Sequence, residues 1–406
     1  MNALTISLSA IRKRAWQSAL TLVLFITSVA VATAVMLFGT QAGDQLERTT
    51  KGIDLVVGAK GSPLQLILCN VFHLDYPTGN IRLADAERIA RHRLVKASLP
   101  LALGDSWNGH RIVGSSPGYR EWFELELKEG QWWSEPMEVV IGADVAAKSG
   151  LSIGSTFSSA HGLTEDGEVH GEVSYKVTGI LQPTGTRQDQ LILTGIRSLW
   201  RVHHLHEPIG AGIPSRLVPG VTLTDSSAEI TAVLLRYRNP LAALQLPRVI
   251  NSRTFMQAAA PAFEASRLYS LMGVGLTVIE GFSWLIFLMS GFSVFIALSS
   301  SLQARQYDLA IMRTMGAGRG KVFRLILLEG MVLAITGTLA GMAIGHLAVG
   351  SFSMIPGAEG YGRFDGTIVL PGEGWILLAG LVAGAVSAAI PAWRASRTDI
   401  HRVLAG

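Results

Sequence analysis

Residues 304–324, ARQYDLAIMRTMGAGRGKVFR, decide how this chain is built. The segment is basic and lies between two apolar runs, so it reads as a loop joining two membrane spans on their cytoplasmic side. Working outward, residues 325–352 contain only Glu329 and His346 as ionisable groups, and residues 282–298 contain none. The helical pattern of the latter run reaches back toward Leu268 and forward to Leu302. Two further uncharged runs occupy residues 20–38 and 375–390. A hydrocarbon core of about 30 Å takes roughly 20 residues of helix, so four spans are expected, with the second and fourth shortest. Composition agrees: 49% of the residues are hydrophobic and only 16% charged, below the roughly 25% of an ordinary soluble domain. Mean hydropathy is +0.36. Trp16, Trp375 and Trp393 lie near the ends of these runs, where amphipathic rings favour the headgroup region.

The cations orient the spans. Arg12, Lys13 and Arg14 precede the first; Arg305, Arg313, Arg319, Lys321 and Arg324 fall between the second and third; Arg394, Arg397 and Arg402 follow the fourth. Between the third and fourth, Arg363 faces Glu359, Asp365 and Glu373. The positive-inside bias therefore places both termini and the 304–324 loop in the cytoplasm, and the long segment between the first and second spans outside. Residues 1–34, with Ala32-Thr33-Ala34, also fit a cleaved signal peptide, but the apolar run exceeds the 7–15 residues usual for one. Because the cations cluster at span ends, topology accounts for the net charge of +4, and nucleic acid is not an expected partner. Cys69 is the sole cysteine, which excludes an internal disulfide and a cysteine-rich zinc site.

The exported segment is long enough for its own core, expected as two lobes. Residues 53–59 read as a strand, followed by a Gly/Pro-rich turn and a polar helical stretch over 83–94. Asn108-Gly109 predicts a tight hairpin before the strand RIVGS. Strands are expected at 139–141, 151–157, 175–181 and 190–196, with a short helix at 143–149 and a turn at Asp166-Gly167. From Ser226 to Ala262 a strand and then a helix lead back to the membrane. The fold class is thus a four-helix membrane protein with an α+β extracytoplasmic domain inserted between the first and second spans. The divisions are 1–39 (N-terminal amphipathic segment and first span), 40–267 (exported domain), 268–303 (second span with its stalk), 304–324 (cytoplasmic helix and loop) and 325–406 (third and fourth spans with the tail).

Within the loop, residues 303–315 predict a helix carrying Tyr307, Ile311 and Met315 on one stripe. Leu309 and Met312 lie nearby, and Arg305, Asp308 and Arg313 are interspersed. Gly316, Gly318 and Gly320 are expected to end it. Such a helix either lies on the bilayer surface or docks a soluble cytoplasmic subunit. Gly337, Gly341 and Gly345, like Gly380 and Gly384, repeat every four residues and allow close helix approach, within one subunit or across a dimer. Glu280 and Glu329 sit near span ends, where snorkelling accounts for them unless they serve function. His203, His204, His206 and Glu207 carry metal-ligand chemistry, but a solvated loop is the better reading and no metal is assigned. No HExxH pattern or Ser/His/Asp order is present. The stretch from Gly316 to Lys321 lacks GxxxxGK spacing, and Val322 stands where a phosphate-binding loop needs Ser or Thr, so these residues do not bind ATP.

The stretch QARQYDLAIMRTMGAGRGKVFRLILLEG resembles the signature loop of the FtsX/MacB-type ABC transporter permeases. AAIPAWRASRTDIHRVLAG resembles the exit from that family's last span, and ISLSAIRKRAWQSALTLV its amphipathic start. VVIGADVAAKSGLSIGSTF and YKVTGILQPTGTRQDQ resemble its periplasmic domain. Gln303 and Gln306 replace charges that many members carry. The resemblance implies a non-catalytic permease subunit in a bacterial inner membrane, paired as a homodimer or with a second permease and driven by a separate cytoplasmic ATPase. ATP and Mg would bind that ATPase, with no cofactor in this chain. The coupling residues carried over are Arg305, Tyr307, Asp308, Ile311, Met312, Arg313, Met315 and Gly316. Motion would pass by mechanotransmission to the periplasmic side, for efflux or lipoprotein release. Activation of a periplasmic cell-wall hydrolase is the alternative, and metal homeostasis a third role. A periplasmic adaptor or substrate-binding protein and the membrane lipids complete the implied partners.

Overall fold

The computed structural model describes residues 15–161, 174–203, 213–223, 228–352 and 364–397. Two compact units divide the chain, Met1–Gly43 with Ser270–Gly406, and Asp44–Tyr269.

Among the described residues, four helices are long and apolar enough to cross a membrane: Ala15–Thr50, Pro261–Ala304, Arg319–Phe352 and Glu373–Ser396. Each outruns its apolar stretch because polar flanks continue the helix, where water or headgroups tolerate them. Pro261 opens the second helix at the position that has no hydrogen bond to lose, and Glu264 in its first turn complements the positive end of the helix. Its 44 residues make one unbroken rod of roughly 66 Å.

Glycine seats fix the packing of the membrane unit. A Cβ on Gly341 would meet Val29 Cβ at 2.6 Å and the Ile26 carbonyl at 2.8 Å; Gly337 faces Phe25, and Gly345 faces the Ala30 carbonyl and Thr33. The third span therefore lies directly on the first. Gly380 faces Thr338 and Gly384 faces Ala334, while Gly330 receives Ala388 from the fourth span. All five glycines of the two repeats thus bring together spans of the same chain. The second span joins the first through Thr21 Oγ1 to Ser293 Oγ at 3.1 Å, through Ser283 Oγ donating to the Ser28 carbonyl at 2.8 Å, and through the Phe25 and Phe287 rings. At the far end from the 304–324 loop, the Gln41 side chain bonds both the N–H and the carbonyl of Asp365. His346 bridges the Gly366 carbonyl and the Glu373 carboxylate at 2.8 and 3.1 Å.

The inserted unit is built on one eleven-stranded mixed sheet. From edge to edge its main path runs Met256–Ala259, Leu55–Ala59, Ala232–Tyr237, Val95–Trp107, His110–Ser115, Ile192–Gly195, Glu138–Ile141, Tyr175–Leu181 and Leu127–Gly130. Both halves of the expected two-lobed domain share this sheet. Period-two alternation buries both of its faces. Leu55, Val57, Val139, Ile141, Val233 and Leu235 enter one core, covered by Leu83–Ala90, Ile196–Val202 and Leu241–Arg253. Val56, Val140, Leu193 and Leu234 enter the other, under Pro63–Asn70 and Tyr119–Trp122.

Asn108 and Gly109, at φ +45° and +76°, make the expected hairpin turn, whose two central residues both need positive φ. The helix at Ala143–Ser149 and the strand at Tyr175–Leu181 fall where the sequence places them. Three local expectations change, and one strand lies where none was expected. The Gly/Pro-rich turn after Ala59 holds the helix Pro63–Asn70, capped by Ser62. The expected strand over 151–157 shrinks to Thr156–Phe157, because Gly154 at φ +90° turns the chain first. The sheet's longest strand, Val95–Trp107, runs through Pro100 and Gly104, residues that argue against a strand in sequence. Finally, Met256–Ala259 returns as an edge strand beside Leu55–Ala59 instead of continuing a helix. The Asp166-Gly167 turn lies outside the described residues.

Candidate functional site

The second span ends at Ala304, and Arg305, at φ −120° and ψ 13°, is the single non-helical residue before the helix Gln306–Thr314. That helix stops in a complete C-terminal cap. The Gly316 N–H bonds the Arg313 carbonyl at 3.1 Å, and the Ala317 N–H bonds the Met312 carbonyl at 3.0 Å, with Gly316 at φ +95°. This is the two-bond arrangement that glycine permits at helix ends. Only Gly316 of the three glycines has a positive φ; Gly320 already belongs to the third spanning helix, which starts at Arg319.

The helix has two unlike faces. Ala310 is buried, and Leu309 packs with Leu302 and Phe323 on a cluster of Val322, Ile326, Ala392 and Ala395 from the third and fourth spans. On the opposite side Tyr307 is 61% exposed, Ile311 37% and Met315 83%. Asp308 is exposed as well, and Met312 and Arg313 are half-buried. Arg305 turns away from this surface: its Nη1 lies 3.5 Å from Oε2 of the buried Glu329 on the third span. Of the eight expected coupling residues, Tyr307, Asp308, Ile311, Met315 and Gly316 are thus outward, Met312 and Arg313 flank them, and Arg305 is engaged inside. Arg319, Lys321 and Arg324, which follow in the chain, are exposed cations.

The histidine cluster is only partly described. His203 Nε2 sits 3.2 Å from Asp105 Oδ1, and Ser159 Oγ donates to Asp105 Oδ2 at 3.3 Å. The hydrogen bond to Asp105 raises the His203 pKa, against the opposing effect of burial. His204, His206 and Glu207 lie outside the described residues. Among the described residues no three His, Cys, Asp or Glu side chains form a metal-holding group.

A buried polar cluster had no sequence signal. Arg111 donates to Cys69 Sγ at 3.2 Å and to the Asp75 carbonyl at 2.6 Å, and Arg187 donates to the His73 carbonyl at 3.3 Å. These two guanidiniums pin the 71–76 loop. Burial, then the charges of Arg111 and Arg187, hold His73 neutral by pushing its pKa well below 6.5. Burial together with Arg111 brings Arg187 down to about 10, and burial pushes the Cys69 thiol up. Arg111, Arg187 and the 69–75 segment come from distant parts of the chain, so no local pattern announces the cluster.

The family model described as FtsX-like permease C-terminal matches residues 281–400, and that described as MacB-like periplasmic core domain matches residues 18–233, more than half of the chain. This chain belongs to the FtsX/MacB-type ABC transporter permease family. It is accordingly a multi-pass inner-membrane protein, with its α+β extracytoplasmic domain between the first and second spans. The Macrolide export ATP-binding/permease protein MacB of Rhodopirellula baltica is 21% identical over 387 residues, covering 85% of this chain and 54% of the relative. The chain therefore spans about half the length of that relative. Among solved structures, the periplasmic region of MacB from Actinobacillus actinomycetemcomitans is 11% identical, with a TM-score of 0.34, covering 54% of this chain and 94% of that one. The extracellular domain of the transporter YknZ from Gram-positive bacteria is 12% identical, with a TM-score of 0.31, covering 51% and 98%.

Proposed function

We propose that this chain works as the permease subunit of a dimeric ABC transporter whose ATP and Mg are bound by a separate cytoplasmic ATPase. The observation that carries the reading is the two-faced helix Gln306–Thr314, anchored by Leu309 and Ala310 and presenting Tyr307, Ile311 and Met315 outward. An apolar stripe of this kind fits a cleft on a soluble partner. Both termini and this helix lie in the cytoplasm, as the flanking cations indicate. Closure of the ATPase pair would pull on the helix and on the second span that leads into it, moving a substrate at the periplasmic face for efflux or lipoprotein release. No step of the chemistry falls to this chain: it binds the ATPase, transmits motion and shapes the outer surface.

Two measurements test the reading together. A cysteine placed at Thr314, with Cys69 changed to Ser, should react with a membrane-impermeant maleimide only when the cytoplasmic side is opened. The permease should also co-purify with an ABC ATPase subunit from its own cells. Labelling from the outside would end the proposal, as would a purified permease that binds no ATPase.

A further inference from the structure

The turn between the second span and the outward helix is one residue long, and that residue is Arg305. A single non-helical residue is a natural hinge, so something else has to set the angle of the helix that follows. Its inner face, where Ala310 is buried, meets the cluster of Val322, Ile326, Ala392 and Ala395 through Leu309, and apolar contacts of that kind are non-directional. They provide adhesion but do not define a rotation. A directional side-chain contact from the junction to the third span is made by Arg305 Nη1 and Glu329 Oε2, 3.5 Å apart and 24 positions apart in the chain. Glu329 is buried, with 6% of its surface exposed, between the uncharged apolar stretches 325–328 and 330–335 of its helix. A carboxylate in such a place is costly unless a cation faces it, and a guanidinium's fixed fork constrains the geometry more than an ammonium does.

We propose that Arg305 and Glu329 form a positioning latch that locks the outward helix Gln306–Thr314 to the third span, so that Tyr307, Ile311 and Met315 are held facing a docking partner. The latch deepens the ATPase-docking reading and rests on it for its purpose, although its geometry belongs to this chain alone. Both are positioning residues: neither side chain forms part of the exposed stripe. The latch also makes the third span a second receiver of whatever pushes the helix, beside the second span to which the helix is covalently joined. Snorkelling of Glu329 toward the headgroups is the account it replaces.

The test uses the full chain in phosphatidylethanolamine and phosphatidylglycerol nanodiscs, with Cys69 changed to Ser and spin labels at Met315→Cys and Leu347→Cys. Electron–electron distance measurements on this background should give one narrow distribution. Arg305→Gln and Glu329→Gln, which remove the charge and keep a polar side chain, should each broaden it about twofold as the helix samples several rotations. The exchange Arg305→Glu with Glu329→Arg should return the narrow distribution, which a packing role would not produce. Unchanged widths in both single variants overturn the latch, and so does broadening that the exchange leaves in place. Because the distances are read without an ATPase, a failure of docking and a failure of the latch give different results. In the ATPase complex, the two single variants should weaken binding about tenfold and the exchange should restore it, the size of one misoriented contact set.

Discussion

Replacing both Ile311 and Met315 with Asp is the sharpest challenge to the docking surface. Full burial of an aliphatic side chain contributes about 1.5–3 kcal/mol relative to leaving it exposed. Ile311 has 37% of its surface still open and Met315 has 83%, so together they retain the burial of a little more than one side chain. Their seating in a partner cleft then amounts to roughly 2–3.5 kcal/mol, or about 30- to 300-fold in Kd. Aspartate removes that gain and adds the several kcal/mol of desolvating a carboxylate without a cation, which takes binding below detection. Ile311→Ala with Met315→Ala should fall between, about 10- to 100-fold weaker than the parent. Binding of a purified ATPase subunit to immobilised nanodiscs reads the Kd. Circular dichroism and size exclusion confirm that the spans are inserted, as they should be, because neither residue belongs to the buried face. A Kd for the aspartate pair within about threefold of the parent would refute the placement of the surface, since under 1 kcal/mol would then rest on it.

Gly341→Ala should lower stability by about 1–3 kcal/mol, because the added methyl meets Val29 and the Ile26 carbonyl at under 3 Å. Gly318→Ala, with nothing within 4 Å and no positive φ, should leave thermal unfolding in detergent unchanged. Cys69, buried and with its thiol pKa raised, should stay unlabelled by maleimide at pH 7 until the fold opens, and Arg111→Met should speed that labelling by loosening the 71–76 loop. Stability of the 44–269 unit should depend on pH through two histidines of opposite sign. His203, whose folded pKa is raised by Asp105, contributes fully below its unfolded value near 6.5 and loses that contribution as pH rises through the higher folded value; Asp105→Asn should flatten this alkaline limb. His73, whose folded pKa is depressed, costs stability as pH falls below 6.5, where the unfolded chain takes up a proton that the buried ring refuses. Denaturant midpoints measured from pH 5 to 8.5 would show both limbs.

The spans were legible in sequence because a hydrocarbon layer demands an uninterrupted apolar run, and the outward stripe was legible because Tyr307, Ile311 and Met315 recur every four residues. The hairpin at Asn108-Gly109 was legible for a local reason too, its demand for positive φ. What escaped was non-local or short. The helix Pro63–Asn70 has eight residues and announces itself only through Ser62-Pro63, inside a stretch that otherwise reads as a turn. Met256–Ala259 contains no β-branched residue and becomes a strand because Leu55–Ala59 offers it an edge. The Arg305 to Glu329 contact joins residues 24 positions apart, and no spacing rule reaches so far. Sequence patterns report what one element needs, and these features exist only after two elements meet.

An eleven-stranded sheet with no bare face leaves a visitor only its rims. Helices roof it above and below, and Met256–Ala259 is itself largely buried, so a second protein arriving on the periplasmic side can touch Leu127–Gly130, the roofing helices or the loops, rather than the broad plane of strands between them. Inherited changes at Val57, Val140 or Leu234 should then abolish accumulation of the protein. Changes at Lys128 or Glu129, exposed along the Leu127–Gly130 border, should spare its abundance.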